Sequence, residues 1–187
     1  MNSFLKISSA LLAVTIFASG CDKVTRESSQ PVRVPPTVTS VTSAQLNDAV
    51  RGAKAPAVMV NMWATWCVPC VEEMPDLLRL HDNYRDKGMK LILVSWDNNP
   101  KLAANFLGSK GVTFESFIKD GNESDSKFIE GIEDQWSGAL PATFLFDANG
   151  KLVAMWEGKE PYEVFEKKLL EILKPSPQKN VQESSTQ

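Results

Sequence analysis

Cys67 and Cys70 carry the clearest chemical signal in this 187-residue chain, two cysteines with two residues between them in the run Trp66-Cys67-Val68-Pro69-Cys70. On a first helical turn that spacing brings the sulfurs into bonding range, so the pair can cycle between dithiol and disulfide. Cys67 would sit at the helix N-terminus, where unpaired N–H groups and the helix dipole favour its thiolate; Cys70, one turn on, would be shielded. Dithiol exchange needs that asymmetry, an exposed thiol that attacks and a second one that resolves the mixed disulfide. The same spacing could form half of a zinc site. Zinc takes four ligands, however, and the chain adds only Cys21 and one histidine, His81, three turns further along the same helix. We therefore read the pair as redox-active and expect no metal.

The flanking residues suggest how the pair is held. Val58 to Trp63 is an apolar run of strand length, and Leu77, Leu78, Leu80 and Tyr84 follow on a helical period, so the cysteines lie where a strand feeds a helix. Pro69 lacks an N–H that a first turn can spare, and Pro75 frees the carbonyl of Val71, which predicts a kink. Upstream, Thr37 to Thr42 reads as a strand and Ser43 as the cap of a helix that stops at Gly52. Downstream, Gly88 ends the motif helix, and Lys90 to Trp96 is a strand apolar enough to be buried on both faces, which implies parallel central strands covered by helices. Asn99-Pro100 opens a further helix that ends at Gly108 or Gly111. Residues 112–138 hold a polar patch, Lys119 to Lys127, and a short helix from Phe128 to Trp136. They read either as a specificity element with Trp136 on its rim or as a surface excursion anchored by Phe128, Ile132 and Trp136. Leu140 to Asp147 and Lys151 to Trp156 form a hairpin across Asn149-Gly150, and Tyr162, Phe165, Leu169, Ile172 and Leu173 line a closing helix.

The motif resembles the active site of the thioredoxin superfamily, and the longer run Asn61 to Pro75 resembles its TlpA/ResA-like extracytoplasmic branch of thiol-disulfide oxidoreductases. Plain thioredoxins usually carry a buried Asp at the position of Asn61. The branch usually carries Asn there, with a Glu and a Pro where this chain has Glu73 and Pro75. The resemblance spans roughly Val38 to Leu173. It implies an α/β, thioredoxin-like fold: a central mixed sheet flanked by helices, with an insert before a strand that opens on a cis-proline, Pro141. That cis bond would turn the backbone of Leu140 toward the disulfide to pair with an extended substrate, with Trp66 as a flat rim. Catalysis would rest on Cys67 as attacking thiol, Cys70 as resolving thiol and Glu73 as the base that receives the Cys70 proton. Glu73 could instead merely complement the helix N-terminus. Strong oxidants of this fold usually carry His where Pro69 stands, so a moderately reducing potential is expected, with a membrane protein as electron donor. Protein disulfides outside the cytoplasm, apocytochrome c among them, are the implied substrates. Two other classes share parts of the pattern: a thiol peroxidase, with Thr65 near the attacking cysteine, and a copper-binding module using two cysteines and a distant histidine.

Composition fixes the setting. A hydrophobic fraction of 43% supports one real core, and a formal charge of −3 gives no electrostatic reason to bind nucleic acid. Residues 1 to 20 read as a secretory signal: Lys6, an apolar run from Ile7 to Phe17, then Ala18-Ser19-Gly20 before Cys21. Small-small-Cys resembles a bacterial lipobox, which would lipidate Cys21 and account for the third cysteine; ordinary signal-peptidase cleavage or a retained uncleaved anchor is the competing reading. Asp22 resembles an inner-membrane retention signal of Gram-negative lipoproteins. The expected organisation is a signal peptide (1–20), a lipidated flexible tether (21–36), a thioredoxin-like domain (37–174) and a disordered tail (175–187), acting as a monomer lipid-anchored to the membrane outside the cytoplasm, on the periplasmic face of the inner membrane if the organism is Gram-negative.

Overall fold

The computed structural model describes residues 34–174. The signal segment, Cys21 and its lipidation, most of the tether, and the tail from Pro175 lie outside the described residues. Twelve elements run in the order β1 (Val38–Val41), α1 (Ser43–Gly52), β2 (Ala57–Trp63), α2 (Val68–Tyr84), a 3₁₀ turn (Arg85–Lys87), β3 (Met89–Ser95), α3 (Pro100–Ser109), β4 (Ser116–Lys119), α4 (Asp125–Ile132), β5 (Ala142–Asp147), β6 (Leu152–Glu157) and α5 (Tyr162–Leu173).

All six strands form one mixed sheet in the order β1-β4-β3-β2-β5-β6. β1, β4, β3 and β2 run parallel, β5 is antiparallel to β2, and β6 is antiparallel to β5 and so runs in the direction of the parallel strands again. Every residue of β2 is buried, because helices cover both faces. Its side chains alternate accordingly. Ala57, Met59 and Trp63 pack beneath α2, α3 and α5 with Met74, Leu77 and Phe165, while Val58, Val60 and Met62 pack on the other face with Leu46 of α1 and Phe128 of α4. Asn61 falls on the α2 face of this alternation, which decides what it can touch. At the far end of α2 the chain turns through Gly88 at φ 99°, and a Cβ there would come within 2.6 Å of the Pro56 ring.

Several boundaries differ from those expected. Thr42, not Ser43, caps α1: its hydroxyl accepts from the Gln45 amide while the Gln45 side chain accepts from the Thr42 amide, a reciprocal capping box. Ser43 instead presents its amide and hydroxyl to the buried carboxylate of Glu123, at 2.7 and 2.9 Å. The larger correction concerns residues 112–138. They are no surface excursion, since β4 is inserted into the sheet between β1 and β3. The following helix begins at Asp125, capped by Ser124, and has ended before Trp136. Trp136 is not a rim residue either. It is 2% exposed and lies edge-on to both Trp96 and Phe144. Gly131 lets α4 lie close to the start of α1, because a Cβ there would strike the Ser43 side chain.

Candidate active site

The cysteine pair sits at the N-terminus of α2, directly above the carboxyl end of β2. Cys67 is the N-cap residue, and its carbonyl accepts the first helical bond, from Val71, at 3.1 Å. Cys67 and Cys70 are joined as a disulfide with Cα atoms 5.3 Å apart. In this oxidised state Cys67 is less open than the sequence suggests. It is 6% exposed against 1% for Cys70, and its access to solvent is through a groove of about 1160 Å³ that it lines and Cys70 does not. Trp66, 66% exposed, and Val68 form the apolar lip of that groove; Asp97, Lys119, Glu123 and Leu140 lie among its other walls. The Leu140–Pro141 peptide bond is cis, and Leu140 reaches the groove from the strand end that opens β5.

Glu73 lies one turn beyond Cys70 and is fully buried. Antiparallel register explains its company: Asn61 of β2 stands opposite Thr143 of β5, both facing α2. The Asn61 amide donates to Thr143 at 2.9 Å and to one carboxyl oxygen of Glu73 at 3.1 Å. The other carboxyl oxygen accepts from the backbone N–H of Glu160 at 2.8 Å. Burial raises the Glu73 pKa to about 7, against the lowering effect of those two donors. A carboxyl that changes charge near neutrality, next to a shielded thiol, has the properties of a proton acceptor. Neighbouring Glu72 is different: it is exposed and paired with Lys159 at 2.9 Å. The interior of α2 accommodates Pro75 within one continuous helix.

Asp97 was not singled out by its sequence context. It is buried just past β3 and holds the loop that leads into Cys67, accepting from the Thr65 hydroxyl at 2.6 Å, the Thr65 amide at 3.2 Å and the Ser95 hydroxyl at 2.6 Å. Only its position two residues after an apolar strand, at the end where the motif must lie, could have flagged it. The Thr65 hydroxyl proton is thereby committed to Asp97. His81 lies further along α2, tilted against Phe114 with ring centroids 4.7 Å apart and with burial lowering its pKa; it does not line the groove.

The order and pairing of these strands and helices define a thioredoxin-like α/β fold, and solved structures share it. A thiol:disulfide interchange protein of the thioredoxin family from Chlorobium tepidum aligns over 75% of this chain and 97% of its own with a TM-score of 0.57 at 19% identity. A DsbF homologue from Corynebacterium diphtheriae aligns over 62% and 71% with a TM-score of 0.54, also at 19% identity. The Redoxin family model matches residues 32–173, so the chain belongs to the Redoxin family. Among curated relatives, the thiol-disulfide oxidoreductase ResA of Bacillus anthracis is 32% identical over 117 residues, which are 63% of this chain and 64% of that one. The chain thus spans slightly under two thirds of the length of the first curated relatives it matches.

Proposed function

We propose that this protein is a thiol-disulfide oxidoreductase that reduces disulfides of proteins outside the cytoplasm. The observation that carries this reading is the Cys67–Cys70 pair at a helix N-terminus, opening through Cys67 alone onto a groove, with the buried carboxyl of Glu73 one turn below Cys70. In the reduced protein the Cys67 thiolate attacks one sulfur of a partner disulfide; that bond breaks and the partner's other sulfur departs as a thiolate. Cys70 then passes its proton to Glu73 and attacks the Cys67 sulfur. The Cys67–Cys70 bond forms, the partner's second sulfur leaves, and two electrons have moved to the partner. Cys67 is the better first nucleophile because the α2 dipole stabilises its anion. Leu140, turned by its cis bond to Pro141, offers main chain beside the mixed disulfide for an extended substrate to pair with, and Trp66 and Val68 offer it apolar contact.

Pro69 between the cysteines supports a moderately reducing potential, nearer that of thioredoxin than of a strong oxidase. Such a reductant needs recharging, and the donor we propose is a membrane protein carrying electrons from the cytoplasm. Apocytochrome c before haem attachment fits as a substrate through the family resemblance. The sequence features of residues 1–21 support export and lipid anchoring at Cys21; among the described residues no helix is long and apolar enough to cross a membrane.

The test is stoichiometric. Reduced full-length protein mixed with a disulfide-bonded peptide should lose both motif thiols and release two peptide thiols, measured by alkylation and mass spectrometry. Cys67→Ala should release none. Persistence of both thiols in the unaltered protein, or peroxide consumption in place of disulfide reduction, would overturn the reading.

A further inference from the structure

The connection from β6 to α5, Gly158 to Pro161, makes three consecutive polar contacts with the site. Gly158 donates its N–H to the Pro141 carbonyl at 2.8 Å, Lys159 pairs with Glu72 at 2.9 Å, and Glu160 donates its N–H to Glu73 at 2.8 Å. Nothing in the residue types of this segment announces such a role, since two of the three contacts are made by main chain. We propose that this segment is a positioning element for proton transfer at the disulfide, with the Glu160 main-chain N–H holding the Glu73 carboxylate in place to receive the Cys70 proton. The inference deepens the exchange mechanism above and rests on it.

The physical argument concerns which form of Glu73 the surroundings favour. Burial disfavours the anion, and so do two nearby carboxylates, Asp76 one turn along α2 and the side chain of Glu160 itself. The segment's own cation, Lys159, is engaged with Glu72. Asn61 and Thr143, facing from the sheet, are uncharged. Among the described residues, only the Asn61 amide and the Glu160 N–H aim donors at the carboxyl oxygens. Without the second donor the acid would be mostly protonated at neutral pH, leaving little carboxylate to accept the proton that Cys70 must lose. Because the same segment binds the Pro141 carbonyl, the proton acceptor and the substrate-pairing strand end are held by one short stretch of chain.

Two variants isolate the N–H. Glu160→Ala removes the side-chain charge and keeps the donor; Glu160→Pro removes both, at a position outside any helix or strand. The readout is the pH titration of the Glu73 carboxyl carbon by NMR in oxidised full-length protein, where neither motif cysteine titrates. The Glu160→Pro midpoint should lie about one pH unit above that of Glu160→Ala, as loss of one hydrogen bond to a charged group implies. Resolution of a mixed disulfide by Cys70 should shift to higher pH by the same amount. Equal midpoints in the two variants would overturn the proposal. Should Glu160→Pro fail to fold, the Glu160 amide proton in the unaltered protein decides: it should titrate with the Glu73 midpoint and be flat in Glu73→Gln, and a flat response in both would overturn it. Because the carboxyl titration is read without substrate, it can succeed even where disulfide exchange fails.

Discussion

Glu73 costs this protein stability as the pH rises. Its pKa moves from 4.5 to about 7 on folding, so between those values the folded chain holds a proton that the unfolded chain has lost. The unfolded state therefore binds fewer protons and the stability falls with rising pH, by about 3 kcal/mol between pH 4.5 and pH 7. Glu73→Gln should abolish that slope in urea denaturation of the oxidised protein and leave it more stable above pH 7, because Asn61 can rotate its amide to meet the new donor. The same variant should slow resolution by Cys70 at neutral pH by roughly 100-fold, the scale of general-base catalysis, measured by single-turnover release from a preformed mixed disulfide. Unchanged resolution would reduce Glu73 to a packing residue. Asp97 makes a contrasting residue-scale case. Asp97→Ala strands the Thr65 amide and the Ser95 hydroxyl without their acceptor and should destabilise the fold by about 2 kcal/mol, read from the same denaturation curves. The cysteines were legible in the sequence through their spacing, and Glu73 and Pro141 through the resemblance of the runs around them to a known family. Asp97 and the Asn61–Thr143 pair were not, since their partners follow from strand register and not from any local pattern.

At the scale of elements, what the sequence revealed was periodic and long. β2, β3, α2 and α5 each carry enough apolar residues at the right interval to declare their type and their buried face. β4 does not. It has four residues, of which Ser116 and Ile118 are the buried ones, and it is a strand because β1 and β3 flank it, a nonlocal cause that a four-residue window cannot display. Reading that region as a surface excursion followed from treating its polar residues as solvated, yet Glu123 caps α1 from inside and Lys119 is mostly buried against Asp125 at 3.1 Å. The aromatic group Trp96, Phe128, Trp136 and Phe144 makes β4 and α4 part of the core. Trp136→Ala should accordingly cost about 3 to 5 kcal/mol in denaturant unfolding, where a tryptophan exposed on the rim would cost under about 0.5 kcal/mol.

For the molecule as a whole, the contrast lies between a closed interior and the open groove beside the cysteines. Trp66 and Val68 are exposed apolar residues placed at its mouth, beside the sulfur that begins the reaction. Trp66→Ala should leave stability within about 0.5 kcal/mol while slowing reduction of a protein disulfide roughly fivefold to tenfold, the worth of one aromatic contact. Reduction of a small disulfide with no chain to dock should be unaffected, and that difference between substrates separates docking from chemistry. The most direct test of the account is which sulfur a partner becomes attached to. Cys70→Ala protein, reduced and mixed with a disulfide-bonded peptide, should accumulate a covalent adduct mapped by mass spectrometry to Cys67, while Cys67→Ala protein under the same conditions should accumulate none. Adducts forming equally on Cys70 in the Cys67→Ala protein, or on neither cysteine, would contradict it.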